Sequence, residues 1–205
     1  MLKLDHIAVS GATRVQARQA VEAALGLPLQ PGGAHAVFHT HNALLGLRQG
    51  LYLEAIAINP AAPKPARPRW FDLDRFEGPP RLTNWICAVP DLDAALACFD
   101  LDFGAPVDLA RGDLRWRMAV PSSGVLPFDN CAPALIEWRE GAHPATRLAD
   151  QAVTLTELCV SHPRADALRA RLAPYLDAPC LIFEDGPPGL SARFETPHGP
   201  RILSG

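Results

Sequence analysis

A strand, a cap and a helix recur three times along this chain, and this recurrence limits the available folds more than any other feature. The segment "LKLDHIAVSGA" alternates with period two, so Leu4, His6 and Ala8 face one way and Ile7 and Val9 the other. After it, Thr13 stands where an N-cap belongs, with Gln16 three residues on. Ala17, Ala20, Val21, Ala24 and Leu25 follow at helical spacing, and Gly26 supplies the stop. The second copy starts at "RLTNWICAVP", with Asp91 as cap and Leu92, Ala95, Leu96 and Phe99 on one helical face. The third starts at "VTLTELCVSHP", with Ala165, Leu168 and Leu172 on its helix. Strand-like runs complete each copy. They are "AHAVFHT", "NALLGL" and "LYLEAIAI" in the first, "PVDLA", "LRWRMAV" and "PALIEW" in the second, and "CLIFED", "LSARFET" and a short "RILS" in the third.

The predicted pattern is β-α-β-β-β, an α+β class built from repeated modules. The first occupies residues 1–60, the second 81–145, and a truncated third 150–205. Residues 61–80 read as a Pro-rich linker, since "NPAAPKPARPRW" can be neither helix nor central strand. The spacing supports the repeat. His6 precedes Thr13, Asn84 precedes Asp91 and Glu157 precedes Arg164 by the same interval, so these three polar residues share one place in three strands. Glu54 in "LYLEAIA" and Glu137 in "ALIEW" share another.

Bulk properties exclude several classes. The 19 basic residues are scattered and the net charge is −3, so there is no basic stripe for nucleic acid. No apolar run approaches the roughly 18 residues of a membrane span. The first residues enter a strand directly, without the charged and apolar regions of a secretion signal. Five cysteines, at 87, 98, 131, 159 and 180, are odd in number and lack C-x-x-C spacing. Reduced thiols in a cytoplasm fit better than a disulfide framework. No dinucleotide, P-loop or serine-hydrolase string is present.

Three pieces in order, "LDHIAVS", "THNALLGL" with "YLEAIA" shortly after, and "LRWRMAVP" followed by "LIEW", resemble the vicinal oxygen chelate superfamily, which includes glyoxalase I and extradiol dioxygenases. The match is closer to its glyoxalase-like branch and covers most of residues 1–140. The resemblance implies curved sheets that form a cup, with the first-strand His and last-strand Glu projecting inward and often holding a divalent metal. His6 and Glu54 stand at those places. A neutral imidazole and a carboxylate suit zinc, iron, manganese or nickel, and a metal-free cup is the other reading. Two ligands are few, so a partner module is expected to add more. If modules one and two share the cup, the set is His6, Glu54, Asn84 and Glu137; if one and three share it, His6, Glu54 and Glu157. Asn84 departs from the pattern, because asparagine is a poor transition-metal ligand.

The remaining candidates concern the substrate. "HAVFHTHNALLGL" carries His35, His39 and His41, a cluster without zincin spacing. His41 and Asn42 are expected at the cup rim. Arg115 and Arg117 share a strand face; turned inward they would clamp a carboxylate, and turned outward they would be solvated charges. Glu137 or Glu157 would shuttle a proton from an apolar setting. The expected function is a glyoxalase-like, metal-dependent lyase, isomerase or dioxygenase acting on a small oxygen-rich molecule. The alternative is a metal-free protein that binds or sequesters a small ligand. No nucleic acid or membrane partner is expected, and a homodimer is compatible with the resemblance.

Overall fold

The computed structural model describes all 205 residues. Its first segment runs β1 (Leu2–Ser10), α1 (Arg14–Leu25), β2 (Gln30–His35), β3 (Thr40–Gly46) and β4 (Tyr52–Ile58). Thr13 Oγ1 caps α1 by accepting the Gln16 N–H at 3.2 Å, and Gly26 ends it in the left-handed region at φ 73°. The second segment runs β5 (Arg81–Ala88), α2 (Leu92–Ala97), β6 (Ala105–Arg111), β7 (Leu114–Val120) and β8 (Ala134–Glu140). Asp91 caps α2 through the Ala94 N–H at 2.9 Å. "AHAVFHT" is not one strand. His35 ends β2, a turn with His39 at φ 50° follows, and Thr40 begins β3.

Both segments build one curled sheet in the order β2-β3-β4-β1-β5-β8-β7-β6. Its centre is the antiparallel pair β1–β5, where the two segments meet. In each half the first strand pairs in parallel with the last, β1 with β4 and β5 with β8. The sheet curls until its outer strands approach: a Cβ on Gly33 of β2 would lie 2.5 Å from Arg111 Cδ of β6. The result is a half-barrel cup with β1 and β5 at the centre of its sheet.

The third segment departs from the module pattern. It runs β9 (Thr154–Ser161), α3 (Ala165–Leu172), β10 (Leu176–Asp177), β11 (Leu181–Glu184), β12 (Gly189–Thr196) and β13 (Gly199–Ser204). Here β9 pairs in parallel with β11 and antiparallel with β12, in a separate four-stranded sheet ordered β11-β9-β12-β13. β10 leaves its own segment to pair with Leu2 and Lys3 of β1. One apolar core nevertheless runs through all three segments, joining Ile7, Trp85 and Leu135 to Leu158, Val160 and Phe194. The third sheet is therefore a buttress on the outside of the cup.

The Pro-rich linker does more than connect. Its end folds into a short 3-10 turn, Trp70–Arg75, with Phe71 and Asp72 in the left-handed region. The Arg69 side chain anchors this turn, reaching Phe38 O at 3.0 Å and Asp74 at 2.5 Å. Trp70 then stacks on Phe38 with 4.3 Å between ring centroids.

Candidate active site in the sheet cup

The site begins with an irregularity in β1. Leu4 pairs with Cys87 and His6 with Ile86, so Asp5 is an extra residue, a β-bulge. A bulge breaks the period-two alternation and lets adjacent side chains serve one region. Asp5 and His6 are both buried, and their side chains bond each other, Asp5 Oδ1 to His6 Nδ1 at 2.6 Å. The other Asp5 oxygen accepts from Trp138 Nε1 at 2.9 Å and meets His143 Nε2 at 3.0 Å. Burial raises the Asp5 pKa, but the bonds from His143 and His6 outweigh it and hold the carboxyl below the usual range.

This bond orients His6. With Nδ1 engaged by Asp5, Nε2 points to Glu54 Oε2 across 3.9 Å, too far for a hydrogen bond. The Tyr52 ring stacks on the imidazole at 4.3 Å and 13°. Glu54 is fixed from its other side, Oε1 accepting from Asn42 Nδ2 at 2.5 Å, while Oε2 makes no hydrogen bond. A second imidazole, His35, also faces Glu54: its Nε2 lies 4.0 Å from Oε1, and its Nδ1 bonds Thr40 Oγ1 at 2.9 Å. Arg111 lies against His35, NH1 to Nε2 at 3.4 Å. Burial first, then the Arg111 charge, push the His35 pKa down to about 3, so this ring is neutral.

Trp70, Phe71, Trp116, Met118, Ile136 and Trp138 wall the cup. The recess holds about 390 Å³ counted to its mouth and admits water. Buried apolar walls raise the strength of every charge interaction inside.

His6, Glu54 and Asn42 converge in the cup as lining residues. The other candidates do not. His41 alternates with Asn42 on β3, so it turns to the opposite face, towards the Arg14 charge; burial and that charge lower its pKa. Asn84 is fully buried opposite Ala8, outside the cavity lining, with neither amide atom partnered. Glu137 accepts from the Leu92 N–H and pairs with Arg117 and Arg139 on the helix side of the sheet. Register explains this placement. Ala8 pairs with Glu54 in the first half, and Ile86, two residues beyond Asn84, pairs with Ala134 in the second. Ala134, not Glu137, thus matches Glu54, and Glu137 lies an odd number of residues away, on the other face. The clamp expected of Arg115 and Arg117 is likewise outside the cup. Arg117 pairs with Asp93 at 2.8 Å and Arg115 bonds the Gly112 and Leu114 carbonyls. Glu157 belongs to the buttress sheet and pairs with Arg193 at 2.9 Å.

Asp5, His35, Tyr52, Arg111 and Trp70 are the site residues not predicted as such. Asp5 had a signal, its place beside His6 in "LDHI", but its inward turn depends on the bulge. His35 belonged to the histidine cluster. Arg111 is at the edge of β6 and had no sequence signal.

Among metals, the donor set can be tested directly. Two bonds of about 2.0–2.2 Å at a tetrahedral angle place their donor atoms roughly 3.4 Å apart, so His6 Nε2 and Glu54 Oε2, at 3.9 Å, would have to close by about half an ångström to share a metal. Asp5 supplies the carboxylate behind a histidine that metal sites use to orient their ligands. With that small closure, His6 and Glu54 fit by donor chemistry as two ligands of an open site. No group of three or more His, Cys, Asp or Glu side chains completes a closed one.

A half-barrel of two β-α-β-β-β units with a histidine on its first strand and a glutamate on its fourth is the cup of a vicinal-oxygen-chelate-type protein. A family model described as a glyoxalase-like domain matches residues 4–176, and the chain belongs to that family. A search of curated proteins finds no match. Among solved structures, the chain is similar to a hypothetical protein from Staphylococcus aureus, with 13% identity, a TM-score of 0.66, and 91% of this chain and 86% of that one covered. A methylmalonyl-CoA epimerase from Mycobacterium tuberculosis aligns with 17% identity and a TM-score of 0.43, covering 70% of this chain and 91% of that one. No helix is long and apolar enough to cross a membrane.

Proposed function

We propose that the cup is the active site of a glyoxalase-like enzyme that moves a proton on a small oxygen-rich substrate, as an isomerase or lyase does. One observation carries this reading. A bare imidazole nitrogen and a bare carboxylate oxygen face each other across 3.9 Å in a buried, aromatic-walled space. Neither atom has a hydrogen-bond partner in the protein and both open on the cavity, so the pair is free to take a group that satisfies both. A water that donates to both, or a divalent ion that accepts a lone pair from each, would do so, and a substrate hydroxyl would donate to one of them.

His6 and Glu54 would hold a divalent metal, which when bound supplies Lewis acidity towards adjacent substrate oxygens. The chain's own groups do the rest. Asp5 keeps the His6 proton on Nδ1 and the Nε2 lone pair in the cup. Asn42 anchors Oε1 of Glu54 and leaves Oε2 free to receive a proton from a carbon or hydroxyl lodged against it. Trp70, Trp116 and Trp138 exclude bulk water. Five unpaired thiols support a reducing, cytoplasmic setting.

The test is elemental analysis of purified protein after incubation with zinc, manganese, nickel or iron(II), alongside His6→Ala and Glu54→Ala. The expected result is stoichiometric metal in the wild type and its loss in both variants. Metal that survives both changes overturns the assignment. The open, two-ligand set also supports a second reading, a metal-free binder on the same fold. Thermal stabilisation by a small ligand, unaltered by chelator in protein that takes up no metal, would favour it.

A further inference from the structure

Arg111 is the unexplained charge of the cup. Its guanidinium lines the cavity, yet its two contacts inside are long, 3.4 Å to His35 Nε2 and 3.5 Å to Asn42 Oδ1, and no carboxylate pairs with it within 4.0 Å. Three arginines of the outer face behave differently. Arg117 is paired with Asp93, Arg139 with Glu137 and Arg147 with Asp113. A guanidinium carries a fixed fork of donors suited to a planar anion. Turning it into an aromatic cavity without an anion leaves most of that fork unused.

The surrounding chain is shaped to keep it there. Arg111 reaches across the seam between β6 and β2, and its stem lies against Gly33, where a Cβ would come within 2.5 Å of Cδ. Gly33 also donates its N–H to Asn42 Oδ1 at 2.7 Å, which fixes the strand beside the guanidinium. A second donor in the same lining is unused: Trp70 Nε1 is buried and has no partner. The half-exposed Arg111 guanidinium can still meet water, but the Trp70 donor cannot, and an unpaired buried donor costs free energy unless a ligand brings an acceptor. The ligand is therefore acceptor-rich at this end of the cup. Glu54 disfavours a dianionic phosphoryl group so close by, whereas a single flat carboxylate matches one guanidinium fork.

We infer that Arg111 is the anion-binding residue of the cup and that the small molecule it takes carries a carboxylate, gripped by Arg111 while its neighbouring oxygen reaches the space between His6 and Glu54. This deepens the proposed function and rests on it for the identity of the site, but not on a bound metal. The substrate class it names is the small 2-hydroxy or 2-oxo acid.

The experiment is titration calorimetry of the full chain, stripped of metal by a chelator that is then removed. The probes are glycolate, a monoanionic 2-hydroxy acid, and its neutral isostere glycolamide. Glycolate is expected to bind at least tenfold more tightly than glycolamide. Arg111→Gln should remove that difference while leaving glycolamide unchanged, and Arg111→Lys should keep part of it, since a point charge remains without the fork. Folding of each variant is checked by circular dichroism, and the lysine variant carries the test if the glutamine variant unfolds. Glycolate that fails to bind, binds no better than glycolamide, or binds undiminished without Arg111 overturns the inference. Inorganic phosphate binding more tightly than glycolate through Arg111 overturns the carboxylate assignment. The metal measurement on His6 and Glu54 is separate, so each proposal can fail while the other stands.

Discussion

The two halves of the curled sheet share a topology but divide the labour of the cup. The first half contributes its polar machinery: Asp5, His6, His35, Asn42, Tyr52 and Glu54. The second contributes walls, Trp116, Met118, Ile136 and Trp138, and a single charge, Arg111. At matching places the contrast is sharp. His6 corresponds to Asn84, which has no partner, and Glu54 to Ala134. A duplicated fold thus supplies two scaffolds, and only one needs to carry chemistry; the other can specialise in shape and dryness. The halves are joined where polar meets apolar, because Asp5 of the first accepts the indole N–H of Trp138 in the second.

The hardest way to break this division is at that joint. Asp5→Ala strands the His6, Trp138 and His143 donors in a buried setting. The expected destabilisation is on the order of 3–5 kcal/mol, measured by urea denaturation. A loss below about 1 kcal/mol would show that the halves are held by apolar contact alone.

Acidification should separate the halves next. The walls of the second half do not titrate, whereas His35 of the first does. Its folded pKa is about 3 against 6.5 for the free side chain. Between these values the unfolded chain binds a proton that the folded chain refuses, so stability falls as pH drops through this window and is flat above about 6.5. From pH 6.5 to 4 the expected loss is about 3 kcal/mol. Asp5, held below its ordinary value, adds a further loss below its unperturbed 3.8. Unfolding followed at several pH values checks this, and His35→Gln should flatten the curve between pH 4 and 6.5.

Much of this architecture was legible in the sequence because capping and periodicity are local. Thr13, Gly26 and Asp91 mark helix ends by their own chemistry, and "LDHI" with "YLE" marks the first half of the cup. What was not legible depends on register. The bulge that turns Asp5 inward adds one residue to one strand, and no alternation pattern reveals it. The parity that sends Glu137, Arg115 and Arg117 outward follows from which residues β7 and β8 pair with, a long-range fact. Arg111 enters the cup only because the sheet curls far enough for β6 to meet β2. The third segment carried a convincing strand–cap–helix signal, yet its strands pair differently, because local signals specify elements and not their neighbours.

Asn84 offers a smaller and opposite effect. If the second half is a wall, an apolar residue of similar size should serve it better than an amide with no partner. Asn84→Leu is expected to be neutral or to stabilise the fold by about 1 kcal/mol, because it removes a buried unsatisfied group. Leucine has the branched outline of asparagine, but its methyls are bulkier than the amide nitrogen and oxygen, so overpacking offsets part of the gain. A cost above about 2 kcal/mol would mean that Asn84 has a partner in solution, and the second half would then share in the polar work.

The smallest effect separates the faces of one hairpin. Arg111 and Arg115 are four residues apart on β6 and β7, one lining the cup and the other exposed. Arg115 bonds only main-chain carbonyls, Gly112 O at 2.6 Å and Leu114 O at 2.9 Å, and both can turn to water instead. Arg115→Ala should therefore change stability by no more than about 0.5 kcal/mol and leave glycolate affinity untouched. Both measurements matter, because a drop in affinity with stability unchanged would mean that Arg115 reaches the ligand. The hairpin would then present two arginines to the cup rather than one, and the division between working and walling halves would give way to a cup whose second half recognises the substrate by charge.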